Sequence, residues 1–162
     1  MKCLLAPAAV VAALALASCG SSSTLSSDQY TGLLAQGKEF ATSIQTVEAD
    51  ASSCAAGAAA GSNTPPDLSI VKTCLGDAAG KAQTGLTKII NYTNSLSGEV
   101  DGTCSTDLKA LSAAMTDVKA IFAKVEGQAR AGDLAAMQTT LESIKSTNIA
   151  STGAAAEKAC KA

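Results

Sequence analysis

The sequence predicts an all-α protein that folds as an antiparallel up-down-up-down four-helix bundle with two disulfides. Three observations support this fold class. Alanine, the strongest helix former, is abundant, and no segment alternates β-branched and polar residues as a strand does. Apolar residues recur at steps of three and four in four segments that short breaks separate. The aromatic residues are only two Phe and two Tyr, with no Trp, which favours small-residue helices that pack closely.

The first helix is expected over residues 27–60, after a flexible tether at residues 20–25. Ser26 and Gln29, three positions apart, form the pattern of a capping box that starts a helix. The break at residues 61–66 is the strongest in the chain, because its two prolines remove backbone donors and disfavour helix in the residues before them. The buried face of this helix is expected to carry Tyr30, Leu33, Leu34, Ala41, Ile44, Val47, Ala51, Cys54 and Ala58.

The second helix is expected to begin after Asp67, which can cap its first turn. Gly98 is expected to stop it, and residues 97–103 are expected to form the next loop. The positions that mark its buried face are Leu68, Val71, Leu75, Ala78, Ala79, Ala82, Leu86, Ile89, Ile90, Thr93 and Leu96.

The third helix has the cleanest periodicity, since its apolar residues alternate steps of three and four without a miss. They are Leu108, Leu111, Met115, Val118, Phe122, Val125 and Ala129. Ala131-Gly132-Asp133 then predicts a tight turn, with Asp133 as the N-cap of a fourth helix that starts at Leu134 and fades into residues 154–156. A stripe of this kind also occurs in intermolecular coiled coils, but the short loops return the chain on itself and favour an intramolecular bundle.

Four cysteines follow the first 19 residues, namely Cys54, Cys74, Cys104 and Cys160. An even number in an exported chain indicates two disulfides. A zinc site is the alternative, but the chain has no C-x-x-C pair and no His. Cys54 and Cys74 lie equally far from the first break, and Cys104 and Cys160 lie almost equally far from the turn after the third helix. Antiparallel helices would therefore pair Cys54 with Cys74 and Cys104 with Cys160.

Near the start, Leu16-Ala17-Ser18-Cys19 ends an apolar run and precedes a Gly/Ser string. Lys2 supplies a positive charge before the run, which is too short to span a membrane. The stretch resembles the lipobox of bacterial lipoproteins, and the resemblance covers the first 24 residues. It implies cleavage before Cys19 and a diacylglycerol on its sulfur, usually with a further N-acyl chain, which suffices for stable anchoring. The alternative is an ordinary secretory signal with Cys19 near its cleavage site by chance.

These features divide the chain into a signal peptide at residues 1–18, a lipidated Cys and tether at 19–26, and one helical domain at 27–162. Removal of the signal leaves 11 basic and 14 acidic side chains, so no basic patch for nucleic acid is expected. The absence of His excludes Ser-His-Asp, H-E-x-x-H and E-x-x-H sites. We expect neither enzymatic activity nor a metal or cofactor.

The function predicted from these features is that of a non-enzymatic interaction or accessory module. It would be held on the extracytoplasmic face of a bacterial cell membrane or outer membrane and would contact an envelope protein or polymer. The alternative is a carrier of a small apolar ligand between the helices. A cavity for such a ligand would be lined by Leu86, Ile89, Ile90, Leu108 and Leu111. Partner contact is expected at the membrane-distal end, around residues 62–66 and 131–133.

Overall fold

A computed structural model describes residues 25–59 and 68–161, and every regular element in these two ranges is helical. The all-α class is therefore confirmed. In chain order the elements are α1 (Ser27–Ala59), α2 (Leu68–Glu99), α3 (Gly102–Ala131), α4 (Leu134–Glu142), a single 3-10 turn (Ser143–Ser146) and α5 (Ile149–Cys160).

The start of α1 is fixed by the predicted capping box. The backbone N–H of Gln29 donates to Ser26 Oγ at 3.2 Å, and the backbone N–H of Ser26 donates to Gln29 Oε1 at 2.8 Å. Leu25, the last residue of the predicted tether, is instead buried and belongs to the hydrophobic core. Leu25 directly precedes the N-cap residue. An apolar side chain at that position can pack against the fourth residue of the helix, which here is Tyr30. The ordered domain therefore begins at least as early as Leu25.

The connection between α2 and α3 is shorter than the loop predicted at residues 97–103. Only Val100 and Asp101 separate the two helices, and Gly98 lies inside α2. A glycine within a helix costs about 1 kcal/mol relative to alanine, which tertiary contacts can offset. Here Val100 is buried, and the Ser105 hydroxyl donates to the carbonyl of Ser97 at 2.7 Å across the turn.

The turn after α3 is as predicted. Gly132 adopts a left-handed conformation with φ of 82°, and its N–H donates to the carbonyl of Ala129. The N–H of Asp133 donates to Gln128, which completes the helix C-cap. Asp133 in turn caps α4, because its Oδ1 accepts from the N–H of Ala136 at 3.0 Å.

The predicted fourth helix is wrong in one respect, since it is broken at residues 143–148 into α4 and α5. Ser, Thr and Asn side chains cluster at the break, and such side chains offer the backbone local partners that compete with a continuous helix. The hydroxyl of Ser146 donates to the carbonyl of Ser143 at 2.6 Å, and that of Thr147 donates to Ile144 at 2.7 Å.

Helices that pack together run antiparallel. In the first two pairs, a contact near the start of one helix meets the end of the other, and a second contact shows the reverse. In the third pair, the earlier of two α3 residues meets the later of two α5 residues. The contacting pairs are Gly32 with Tyr92 and Cys54 with Cys74 for α1 and α2, Ser97 with Ser105 and Asp77 with Arg130 for α2 and α3, and Cys104 with Cys160 and Leu111 with Gly153 for α3 and α5. Helix α4 also packs on α3.

The core of the helical bundle lies on α2 and α3. All seven residues of the periodic stripe predicted for α3 are buried. On α2 the predicted positions from Ala78 to Leu96 are buried as well, whereas Val71 and Leu75 are half-buried. Side chains from α1 and α5, including Leu33, Ile44 and Ala156, complete the same cluster.

Thr93 is an unusual core residue, because its fully buried hydroxyl has no hydrogen-bond partner among the described residues. Valine has the same shape without the hydroxyl, so Thr93→Val should raise the free energy of unfolding by about 1 kcal/mol. Thr87 is the matched control, since its hydroxyl donates to the carbonyl of Gln83 at 2.8 Å and Thr87→Val should bring no gain. Urea unfolding of the three proteins measures the difference, and a loss of stability in Thr93→Val would contradict the prediction.

Candidate functional site

The predicted lipidation site, Cys19, lies outside the described residues, as do the signal peptide and the tether up to residue 24. Its acylation therefore stays a prediction. None of the helices in the ranges 25–59 and 68–161 is both long and apolar enough to cross a membrane.

Both predicted disulfides are present. Cys54 of α1 is bonded to Cys74 of α2, with 5.9 Å between their Cα atoms, and Cys104 of α3 is bonded to Cys160 of α5, with 4.7 Å. The zinc alternative is excluded for these four thiols. Elsewhere in the described part of the chain, no group of three or more Cys, Asp or Glu residues is placed to hold a metal ion.

The five residues predicted to line a ligand cavity pack together in the core. Leu86, Ile89 and Ile90 of α2 and Leu108 and Leu111 of α3 are all buried members of one hydrophobic cluster. None of them lines either of the two grooves that lie on the surface between α1 and α2.

The first groove, of about 310 Å³, follows the middle of the contact between α1 and α2. Gly85 makes room for Phe40, since a Cβ at this position would lie 3.3 Å from Phe40 Cδ2. Lys88 and Glu39 form an ion pair at 3.0 Å across the groove rim. The lining residues are Gln36, Glu39, Phe40, Ser43, Thr46, Lys81, Thr84, Gly85 and Lys88.

The second groove, of about 340 Å³, lies next to the Cys54–Cys74 disulfide. Lys81 lines both grooves and forms an ion pair with Asp50 at 2.6 Å, which separates them. The hydrogen bond to Asp50, with the charge of that carboxylate, raises the pKa of Lys81 above its ordinary value. The lining residues are Asp50, Ser53, Cys54, Ile70, Cys74, Asp77, Ala78 and Lys81.

Arg130, near the end of α3, connects α3 to the beginning of α2, beside the second groove. Its Nη2 donates to Asp77 of α2 at 3.1 Å and to Glu126 at 3.0 Å, and these hydrogen bonds raise its pKa. Gly76 lies beneath the Arg130 side chain, where a Cβ would approach Arg130 Cγ to 2.9 Å. Gly80 faces Glu126 less closely, because a Cβ there would lie 3.9 Å from Glu126 Oε1, an ordinary contact distance.

Two large hydrophobic side chains are exposed in the described ranges, and both lie at the end of the bundle that carries the Gly132 turn. Ile70, near the start of α2, is 53 % exposed, and Leu134, at the start of α4, is 37 % exposed. Lys72 of α2 packs against Gly132, which places the two helix starts at one end. The predicted contact region at residues 62–66 lies outside the described residues.

Tyr30 and Tyr92 lie at the opposite end of the bundle. The Tyr92 hydroxyl donates to the carbonyl of Gln29 at 3.4 Å. The Tyr30 hydroxyl is buried, and its burial, followed by the charge of Glu157 in α5, raises its pKa.

Sequence reasoning did not find the grooves or the exposure of Ile70. Both depend on how far α1 and α2 are displaced along each other, which the spacing within one helix does not determine. The ion pairs Lys81–Asp50 and Lys88–Glu39 can be anticipated from the sequence only after α1 and α2 have been aligned through the Cys54–Cys74 bridge. Comparison of the chain with protein-family models, with curated proteins and with solved structures finds no match.

Proposed function

We propose that the protein is a lipid-anchored bacterial envelope protein whose helical domain is a non-enzymatic interaction or accessory module. The observation that carries this proposal is Leu16-Ala17-Ser18-Cys19 followed by a Gly/Ser string. The two disulfides support it, because such bridges persist mainly in oxidising compartments outside the cytoplasm. The partner is an envelope protein or polymer, and the protein sits on the extracytoplasmic face of the cell membrane or outer membrane.

The finer arrangement that we propose is an up-down-up-down bundle in which α4 and α5 together form the fourth limb. The antiparallel contacts of α1 with α2, of α2 with α3 and of α3 with α5 support it. Closure of the bundle between α5 and α1 is part of this proposal, since the main contacts of α1 are with α2.

In this arrangement partner contact occurs at the membrane-distal end. Helix α1 begins at Ser27, eight residues after Cys19, and its 33 residues rise about 50 Å. The far end carries the Gly132 turn and the exposed side chains of Ile70 and Leu134. Both apolar side chains are accessible to a partner at this end. Contact through a helix face, or a bundle that lies flat, is the competing arrangement.

The alternative function, a carrier of a small apolar ligand, requires a cavity among the core residues of α2 and α3. The five residues expected to line it instead pack in one buried cluster, and the described grooves lie elsewhere. This packing supports the interaction module over the carrier.

The anchor is tested by Cys19→Ala, which should abolish partitioning of the protein into the detergent phase when it is produced in a bacterial host. The reason is that the acyl chains supply the membrane affinity. Ser18→Ala is the matched control, because alanine keeps the small residue that the lipobox pattern requires, and this variant should partition like the unchanged protein. Partitioning of Cys19→Ala into the detergent phase to the same extent as the unchanged protein would contradict lipidation.

The contact surface is tested with a photo-crosslinking amino acid placed in intact cells at Ala135, beside Leu134, or at Thr103, at the opposite end. Both residues are exposed and helical, and they avoid the positive φ angles of Gly102 and Gly132. A partner should be captured from Ala135 and not from Thr103. Capture of the same partner from Thr103 alone would overturn the distal contact while leaving the anchor intact.

A further inference from the structure

The two disulfides differ in their access to solvent. Cys104 and Cys160 are each 1 % exposed and sit in the hydrophobic core. Cys54 is 4 % exposed, but its partner Cys74 is half-buried, and both line the second groove on the surface between α1 and α2. A thiol in solution can therefore approach Cys74 through this groove, whereas the other bridge is enclosed.

Between Ile44 and Cys54, the described side chains of α1 are exposed or half-buried, and Val47 packs against the core. An ion pair between Asp50 and Lys81, with both side chains exposed, also connects this stretch to α2.

We propose that Cys54–Cys74 is a thiol–disulfide exchange site that is reduced by a dithiol, whereas Cys104–Cys160 is a permanent structural bridge. The inference does not depend on the lipid anchor or on the proposed partner. It assigns different roles to two bridges that the sequence makes look equivalent.

The geometry favours attack on Cys74. The Cys54 sulfur is covered by the backbone carbonyl of Asp50, whose oxygen lies 2.9 Å away, while the same oxygen lies 3.9 Å from the Cys74 sulfur. Cys74 is also the more exposed of the two residues.

The exchange has two steps. A thiolate of the dithiol attacks the Cys74 sulfur, a mixed disulfide forms there, and Cys54 leaves as a thiolate that takes up a proton. The reduced Cys54 can then donate its S–H to the carbonyl of Asp50. The second thiol of the dithiol then attacks the dithiol sulfur that is bonded to Cys74, and Cys74 leaves as a thiolate that takes up a proton. The protein gains two electrons and two protons, and the dithiol is oxidised to a disulfide.

Reduction would release the end of α1 from α2 and leave α3 and α5 connected. Because Ile70 lines the same groove, the change would alter the end of the bundle that carries the exposed hydrophobic residues.

The test treats the folded full chain with dithiothreitol at pH 8, alkylates free thiols at intervals and quantifies each cysteine by peptide mass mapping. Cys54 and Cys74 should become alkylated more than about tenfold faster than Cys104 and Cys160. In denaturing urea the two pairs should react at similar rates, because the difference arises from the fold. Equal rates in the folded protein, faster opening of Cys104–Cys160, or a difference that persists in urea would each overturn the proposal.

The direction of attack is tested on the same folded chain with glutathione, a monothiol whose mixed disulfide with the protein is trapped by rapid alkylation of the remaining thiols. Peptide mapping should find glutathione on Cys74, and capture mainly on Cys54 would refute the assigned direction. Hydrogen exchange after selective reduction should increase in peptides that cover residues 45–59 and stay unchanged in α3. Unchanged exchange in residues 45–59 would show that the bridge does not hold α1.

Discussion

Replacement of both Cys104 and Cys160 by alanine is expected to lower the free energy of unfolding by about 4 kcal/mol. The bridge joins residues 56 apart, and closing a loop of that size removes much of the conformational entropy of the unfolded chain. The alanines also remove two sulfurs from the core. The loss is measured by urea unfolding, with the helical circular dichroism signal as the probe.

The matched control is replacement of Cys54 and Cys74 by alanine. This bridge joins residues only 20 apart and lies at the surface, so its removal should cost no more than about 3 kcal/mol. A larger loss from the second double variant than from the first would contradict the assignment of Cys104–Cys160 as the main structural bridge.

Leu108→Ala is expected to cost about 3 kcal/mol of stability, the second largest effect. Leu108 is fully buried on α3, and its removal leaves a cavity where α3 packs against the rest of the core. Ile70→Ala provides the control, because Ile70 is exposed and should change stability by no more than about 0.5 kcal/mol. The free energies of unfolding are measured by chemical denaturation. A similar loss of stability in the two variants would contradict the prediction.

The sequence predicted best what depends on local chemistry. The stripe of α3 is buried throughout because its apolar residues stand at helical spacing among polar ones. The caps formed by Ser26 and Asp133 follow from the preference of their side chains for helix starts, and both hydrogen bonds are present. The cysteine pairing followed from the antiparallel course of the helices.

Predictions failed where other contacts outweighed the signal on which the prediction was based. Gly98 signals a helix end, yet burial of the following Val100 and the contact between Ser97 and Ser105 extend α2 past it. The break at residues 143–148 has a local signal, the run of Ser, Thr and Asn, but the apolar spacing on either side suggested a continuous helix. Side-chain hydrogen bonds to the backbone decided the outcome in favour of the break.

The candidate surfaces were predictable only in outline. The turn at Gly132 was expected at one end of the bundle, but the exposure of Ile70 and the groove beside Cys74 depend on the register between two helices. No spacing rule within a single helix reports that register. The difference in access between the two disulfides has the same origin.

The burial of Leu25 limits how far the domain can stand from a lipid attached to Cys19. With Leu25 held in the core, only five residues, 20–24, connect it to Cys19, and a fully extended chain of this length spans about 20 Å. Adding the roughly 50 Å length of α1 gives an outer limit of about 70 Å from the bilayer surface for the tip with the Gly132 turn. In a lipidated protein, any envelope component that binds the tip must therefore come within that distance of the membrane.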